Sequence, residues 1–279
     1  MTRFHARPVW AALCAAVFCT LSVSAAAQTA PSEDDDAVLR PLEPDFKIID
    51  LPTTMPLPVH AGDFELTHRF GGDFRREPFG QLASNLFGID EGATMSFGYR
   101  FGLAKHLEVA VNRTNFDKEF EFQGKYDPFH EGGGHPVGLS AIVAVEGGNN
   151  FRQDYEPALG LSISRSLGKV AIVYVDPFWV HNSAGAGAAT LGTRDTGFVG
   201  VGGRLRVMAG TFLVAEIEPR VGGYKPGNAQ YAFAIEKRVG GHVFQLNFGN
   251  SIGGATYGEL ARGGAQSLFM GFNLERKFF

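Results

Sequence analysis

Beyond its first 27 residues the chain has no cysteine; Cys14 and Cys19 are the two in 279 residues. The rest of the chain therefore has no disulfide, thiolate nucleophile or cysteine-bound metal available to it. It also lacks an apolar run of the roughly 18–20 residues that a membrane helix needs. The apolar stretch at 9–23 is short of that length. Positive charge is not in excess, with 25 Lys and Arg against 29 Asp and Glu. Without residues 1–27 the net charge moves from −4 to about −6, because two arginines and no acids are lost. Nothing in that balance favours nucleic acid. No sustained helical period is present either.

What remains is rich in glycine and phenylalanine, 37 and 25 residues, and alternates apolar with polar side chains. Residues 267–279 set the pattern. Leu268, Met270, Phe272 and Leu274 point one way, and Gly271, Asn273, Glu275 and Lys277 the other. A period of two means a strand with one apolar and one polar face. A chain that ends in such a strand, on an aromatic, predicts an all-β fold: a transmembrane antiparallel β-barrel of about twelve strands. The near-zero mean hydropathy fits a barrel, since half of every strand is polar.

The N-terminus supplies an export signal for that destination. Arg3, His5 and Arg7 precede the apolar stretch, and Ala25-Ala26-Ala27 follows it. This predicts a cleaved signal peptide over 1–27. Leu13 and Phe18 precede the two cysteines, so neither has the small neighbour of a lipoprotein signal. Residues 28–61 read as a disordered or extended periplasmic leader, acidic at 33–36 and set with Pro52, Pro56 and Pro58. Its second half is expected to tuck against or under the barrel.

The barrel itself is assigned to 62–279. The expected strands are 63–70, 93–101, 106–114, 117–126, 137–146, 157–167, 169–180, 196–207, 211–221, 230–239, 242–250 and 267–279. Strands of about ten residues tilted near 40° rise about 25 Å, the apolar thickness of an outer membrane. Short connections follow the second, sixth, eighth and tenth strands, and long ones the first, seventh and eleventh, as barrel hairpins require. Two connections break the alternation: 115–116 is short and 126–136 is long.

Several strings carry a family likeness. They are Leu51-Pro52-Thr53-Thr54-Met55-Pro56-Leu57-Pro58, His68-Arg69-Phe70-Gly71, Leu82-Ala83-Ser84-Asn85-Leu86-Phe87-Gly88, Glu236-Lys237-Arg238-Val239-Gly240-Gly241-His242-Val243-Phe244-Gln245-Leu246 and Arg276-Lys277-Phe278-Phe279. Together they resemble a family of bacterial membrane β-barrel proteins defined as a domain of unknown function. The resemblance covers nearly the whole chain after residue 27. It implies a barrel in the outer membrane and brings no substrate or site residues. One departure from the usual terminal signal is that Phe278, not Phe279, shares the parity of the preceding apolar residues.

Candidate chemistry is sparse. His181 and Ser183 lie two apart at a strand end, as in outer-membrane phospholipases, but no asparagine after Asn182 and before Asn228 could orient the imidazole. His130-Glu131-Gly132-Gly133-Gly134-His135 places three glycines among its would-be metal ligands and reads as a loop. Gly200-Val201-Gly202-Gly203 lacks the helix of a dinucleotide loop and reads as glycines that let a wall bend. No catalytic, cofactor or metal residue is expected, and no cofactor.

The strongest charged constellation spans three strands: Arg204, Arg206, Glu216, Glu218, Arg220, Glu236 and Arg238, all of one parity. Facing lipid, each would cost up to about 2–4 kcal/mol, so they are expected to face the lumen. A hairpin around Ala209 pairs residues whose numbers sum to about 418. The next hairpin, with a sum near 452, would set Glu236 beside Glu216, flanked by arginines. The expected function is a small-solute channel or facilitator in the outer membrane of a Gram-negative bacterium. Its partners would be membrane lipid, the barrel-assembly machinery and a small solute. The alternatives are a barrel with a filled lumen that serves periplasmic partners and, third, a hydrolase.

Overall fold

The computed structural model of the 279-residue chain describes residues 41–131, 134–184, 194–253 and 256–278. The expected signal peptide, residues 28–40 of the expected leader and the terminal Phe279 lie outside them. The strands are β1 (Gly62–Arg69), β2 (Thr94–Ala104), β3 (Leu107–Thr114), β4 (Phe120–Phe129), β5 (Gly138–Gly147), β6 (Gln153–Leu167), β7 (Ala171–Val180) and β8 (Thr196–Met208). There follow β9 (Thr211–Glu218, continued by Arg220–Gly223), β10 (Gln230–Val239), β11 (His242–Gly249) and β12 (Phe269–Phe278). Pro219, which has no N–H to give the ladder, interrupts β9, and both its parts pair with β8.

Every strand is antiparallel to its sequence neighbours, and β1 also pairs with β12, from Gly62↔Phe278 to Arg69↔Gly271. The sheet is thus a closed barrel of twelve strands, and closure removes the edges that an open sheet would present to lipid. Both described ends of the chain lie at one rim, here the terminal end. The longer connections, 70–93, 181–195 and 250–268, lie at the opposite, loop end. The connection 130–137 remains the long exception at the terminal end.

Alternation divides each strand between two surroundings. Phe97, Phe122, Val143, Leu159, Leu213 and Phe244 project outward and are exposed. The residues between them face inward and are buried, among them Asp63, Glu65, Arg100, Glu121, Lys125, Arg204 and Glu236. Such an outer belt is stable only against lipid, where each half-buried strand regains its apolar contacts.

The lumen is not empty. Residues 42–57, part of the leader that the sequence places against or under the barrel, run inside it, where Phe46, Ile48, Ile49 and Leu51 are fully buried; residues 58–60 are exposed at the rim. A second insert enters from the loop end: α2 (Tyr257–Arg262), after the short α1 (Phe79–Ser84) of the first loop. Thr256 caps α2 by accepting from the Glu259 N–H at 3.3 Å.

The closing register yields a direct prediction. With residues 1–27 removed, Leu66→Cys with Leu274→Cys, direct partners across β1 and β12, should cross-link efficiently on mild oxidation. Leu66→Cys with Phe272→Cys should cross-link several-fold more slowly. Equal rates on a denaturing gel would refute this register.

Candidate functional site

The lumen is the candidate site, and its two sides differ in chemistry. From β5 to β10 the inward residues include Ile142, Ala158, Ile172, Tyr174, Phe198, Phe212, Val214 and Ala234, which form a buried apolar cluster with Ile48, Ile49 and Leu51. From β11 round through β1 to β4 the wall is polar. Arg100 lies 3.4 Å from Glu65 and 3.8 Å from both Asp63 and Glu108, and Lys125 bridges Glu108 at 3.5 Å and Asp127 at 3.4 Å.

Residues 46–53 form a small hairpin that matches both sides. Thr53 N–H donates to Phe46 O at 2.9 Å and Ile48 N–H to Leu51 O at 2.7 Å. Toward the polar wall, Lys47 pairs with Glu65 at 3.1 Å and Asp50 with Arg69 at 2.8 Å. Toward the apolar wall, Leu51 and Ile48 fill the places where side chains at Gly200 and Gly202 would stand; an added Cβ would meet Leu51 Cδ2 at 2.5 Å and Ile48 Cδ1 at 2.8 Å. These glycines therefore provide a socket for the hairpin, beyond the wall flexibility expected of them. The Phe46 ring lies 5.0 Å from Lys277 Nζ and 5.8 Å from both Arg100 and Lys125, within cation–π range.

A backbone hairpin enclosed by a wall must find partners for its N–H and C=O groups. Glu216 accepts three N–H donors, from Ile49 at 2.9 Å, Asp50 at 2.8 Å and Leu51 at 3.2 Å. The carbonyls are met from the other strands. Gln245 donates to Ile48 O at 2.7 Å and Asn273 to Ile49 O at 3.0 Å. Arg204 donates to Lys47 O, and Lys277 to Pro44 O.

The seven predicted charged residues separate into three groups. Arg204 and Glu236 form a fully buried pair at 3.0 Å, with Gln245 also donating to Glu236. Glu216 and Glu218 are buried beside them in the lumen, and neither oxygen of Glu218 has a hydrogen-bond partner among the described residues. Arg206 and Arg238 lie at the terminal rim, on Lys169 O and Gly240 O. Arg220 clamps the loop end through Pro226 O, Asn228 O and Arg262 O.

The β8–β9 register sums to 418 (Gly202↔Glu216), as the hairpin around Ala209 requires. The next one does not follow expectation. Glu236 faces Phe212 and Glu216 faces Ala232, a sum of 448. Pairing with β10 stops at Glu218, ahead of Pro219, so the hairpin closes two residues earlier. The two glutamates are consequently apart: one takes an arginine, the other the hairpin backbone. Sequence reading also passed over the β1–β4 network, although Glu121, Gln123, Lys125 and Asp127 carry the same polar alternation.

At the loop end α2 builds a second cluster. Tyr257 stacks on Phe178 at 4.5 Å between centroids and donates to Gln123 at 3.2 Å. Arg262 reaches Glu119 and Glu146 at 3.0 Å and Glu156 at 2.6 Å. Burial first, then Glu146 and Glu259, push the Glu119 carboxyl upward against the pull of Arg262. A cavity of about 670 Å³ opens above this cluster, lined by Asp117, Glu119, Asp154, Glu156 and Arg262 among others. A recess of about 350 Å³ lies at the terminal end, lined by Leu42, Met55, His130 and Glu131.

The other sequence candidates do not assemble. His181 Nδ1 faces Asp195 at 2.8 Å, whereas Ser183 Oγ bonds to Thr196 at 2.7 Å and donates to Arg194 O at 3.0 Å. The serine is buried and not hydrogen-bonded to the imidazole. Glu131 is occupied by Ser166 N–H and Arg165, and His135 lies against Phe129. Residues 132–133 lie outside the described residues.

Comparison with known proteins gives the fold a context. The family described as "Membrane bound beta barrel domain (DUF5777)" matches residues 45–278. Among solved structures, the KdgM porin is similar at TM-score 0.50 and 8% identity, covering 78% of this chain and 99% of its own. The same porin in complex with disordered oligogalacturonate gives the same values. The NanC porin gives TM-score 0.49 at 7% identity, with the same coverage of 78% and 99%. No curated protein sequence matches.

The hairpin's dependence on one carboxylate is testable. Hydrogen bonds to a charged group each contribute about 1.5–3 kcal/mol; with water replacing part of what three of them supply, Glu216→Ala should weaken the seated hairpin by at least about 2 kcal/mol. Ile49→Cys should then react with a polar maleimide at least tenfold faster in the Glu216→Ala barrel than in the parent. Unchanged labelling would remove Glu216 from this role.

Proposed function

The chain belongs to the family of membrane-bound β-barrel domains matched over residues 45–278, and from that premise we propose that it is a non-enzymatic outer-membrane channel for small solutes. The observation that carries this reading is the pair of recesses. The 670 Å³ cavity includes the β3–β4 and β5–β6 connections in its lining, and the 350 Å³ recess lies at the opposite ends of β4 to β7. The hairpin 46–53 and α2 fill the lumen between the two ends, and neither is part of the wall. Withdrawal of both inserts would open a path bounded on one side by the polar wall of β11 to β4. The KdgM likeness in fold supports the architecture, and the loop end is then the outer face. Lipid surrounds the belt, and the barrel-assembly machinery inserts it.

The lumen's chemistry supports passage of water. A carboxylate enclosed without a donor, as Glu218 is, is costly unless water reaches it. Among the described residues, buried charged side chains comprise seventeen carboxylates and six lysines or arginines, so the path favours cations.

The alternative, a barrel with a filled lumen that serves periplasmic partners, draws on the density of hydrogen bonds around the hairpin. Planar-bilayer recording separates the two. The full chain should show brief, cation-selective openings, and deletion of residues 45–55 should raise open time at least tenfold. A deletion variant that folds, by its heat-shifted migration, yet never conducts would leave the filled-lumen reading.

A further inference from the structure

Arg262 occupies a place built for a cation. Its guanidinium lies against three carboxylates from two hairpins of the wall: Glu119 after β3, and Glu146 and Glu156 at the end of β5 and the start of β6. Their side chains are 3%, 2% and 0% exposed, whereas that of Arg262 is 28% exposed. Each carboxylate gives Oε1 to the arginine. Each keeps Oε2 buried with no hydrogen-bond partner among the described residues. Three carboxylates on one guanidinium leave the nest short of positive charge, and Glu121 and Glu259 lie close by.

The receptor belongs to the wall and its occupant does not. Glu146 and Glu156 belong to paired strands and face each other in register. Arg262 ends a six-residue helix inside a loop and stands on the floor of the 670 Å³ cavity. Its backbone carbonyl is held by Arg220 at 2.8 Å, so leaving the nest needs only side-chain rotation into that cavity. Gly258 lets the helix pass close to the acids; a Cβ there would meet Glu146 Oε2 at 2.7 Å. The rim above adds Asp117 and Asp154 against Lys118. The nest already seats a guanidinium on three carboxylates, so its spacing suits a planar or tetrahedral organic cation.

We propose that this nest recognises the guanidinium or ammonium group of a small organic cation, and that Arg262 is an intramolecular occupant which such a solute displaces. The proposal rests on the channel reading and names the class of solute that channel selects. A guanidinium offers five N–H donors in a rigid fork, enough to take up oxygens that Arg262 leaves unpartnered. Displacement exchanges one cation for another, so the nest is never left with its acids bare, the costly outcome for buried charge.

Calorimetric titration of the refolded full chain with methylguanidinium tests this, with methylammonium in parallel. Arg262→Ala should bind methylguanidinium at least tenfold more tightly than wild type, because the competitor is gone. Adding Glu146→Gln and Glu156→Gln to that variant should abolish binding. If Arg262→Ala does not refold, Arg262→Lys replaces it, since one ammonium cannot span three carboxylates; its affinity should lie above that of wild type. Binding no tighter than wild type, or binding that survives loss of both glutamates, overturns the proposal. Bilayer recordings on the same preparations keep the two readings apart. A conducting barrel that fails to bind overturns this site alone, and a folded barrel without residues 45–55 that binds but never conducts overturns the channel alone.

Discussion

The carboxylate of Glu216 gathers three consecutive backbone N–H groups, those of Ile49, Asp50 and Leu51, inside a barrel of twelve strands. The rest of the lumen is arranged around that contact. A turn of backbone cannot be enclosed with its donors unpaired, and three adjacent N–H groups aimed one way form a concave anion site. An anion placed there costs little because the donors need it as much as it needs them. The carbonyls of the same turn then require donors on the other side, which Arg204, Gln245 and Asn273 supply. Arg204 in turn needs its own counter-charge, and Glu236 provides it at 3.0 Å. Of the charges that look like a pore lining in the sequence, Arg204, Glu216 and Glu236 are thus committed to holding an internal segment.

This commitment explains the two-sided lumen. The hairpin is amphipathic at a scale of four residues: Ile48 and Leu51 seat over Gly200 and Gly202, and Lys47 and Asp50 reach Glu65 and Arg69. An apolar wall alone would make the hairpin irreversible, and a charged wall alone would leave its side chains without contact. The mixed lumen holds it through many individually modest bonds that water can replace. At the loop end the same principle recurs with opposite polarity, where the single cation Arg262 holds three acids together. Neither insert belongs to the strand ladder that closes the wall.

The strands were legible because a barrel wall prints its environment on the sequence with a period of two. Thr211 to Glu218 and Gln230 to Val239 show it plainly, and closure through the final strand followed from the alternation at Met270, Phe272 and Leu274. The interior inserts left no such print. Residues 46–53 take many of their partners from far along the chain, Ile49 and Glu216 being 167 positions apart, and no local pattern encodes that distance. The prolines of 52–58 do not indicate which side of the wall the chain follows. The β9–β10 register shifted by four in its sum because Pro219 ends the pairing early. The acid nest of Arg262 was missed because its members lie at strand ends and in loops, where alternation stops.

The chain's own residues 46–53 lie seated in the lumen of the membrane-embedded barrel. Hydrogen exchange of the Ile49, Asp50 and Leu51 amides in lipid nanodiscs measures it most directly. Seated on Glu216, these amides should exchange at least about a hundredfold more slowly than unstructured chain, approaching the neighbouring β-strands. Exchange at the rate of unstructured chain, in a barrel whose strands are protected, would contradict the account.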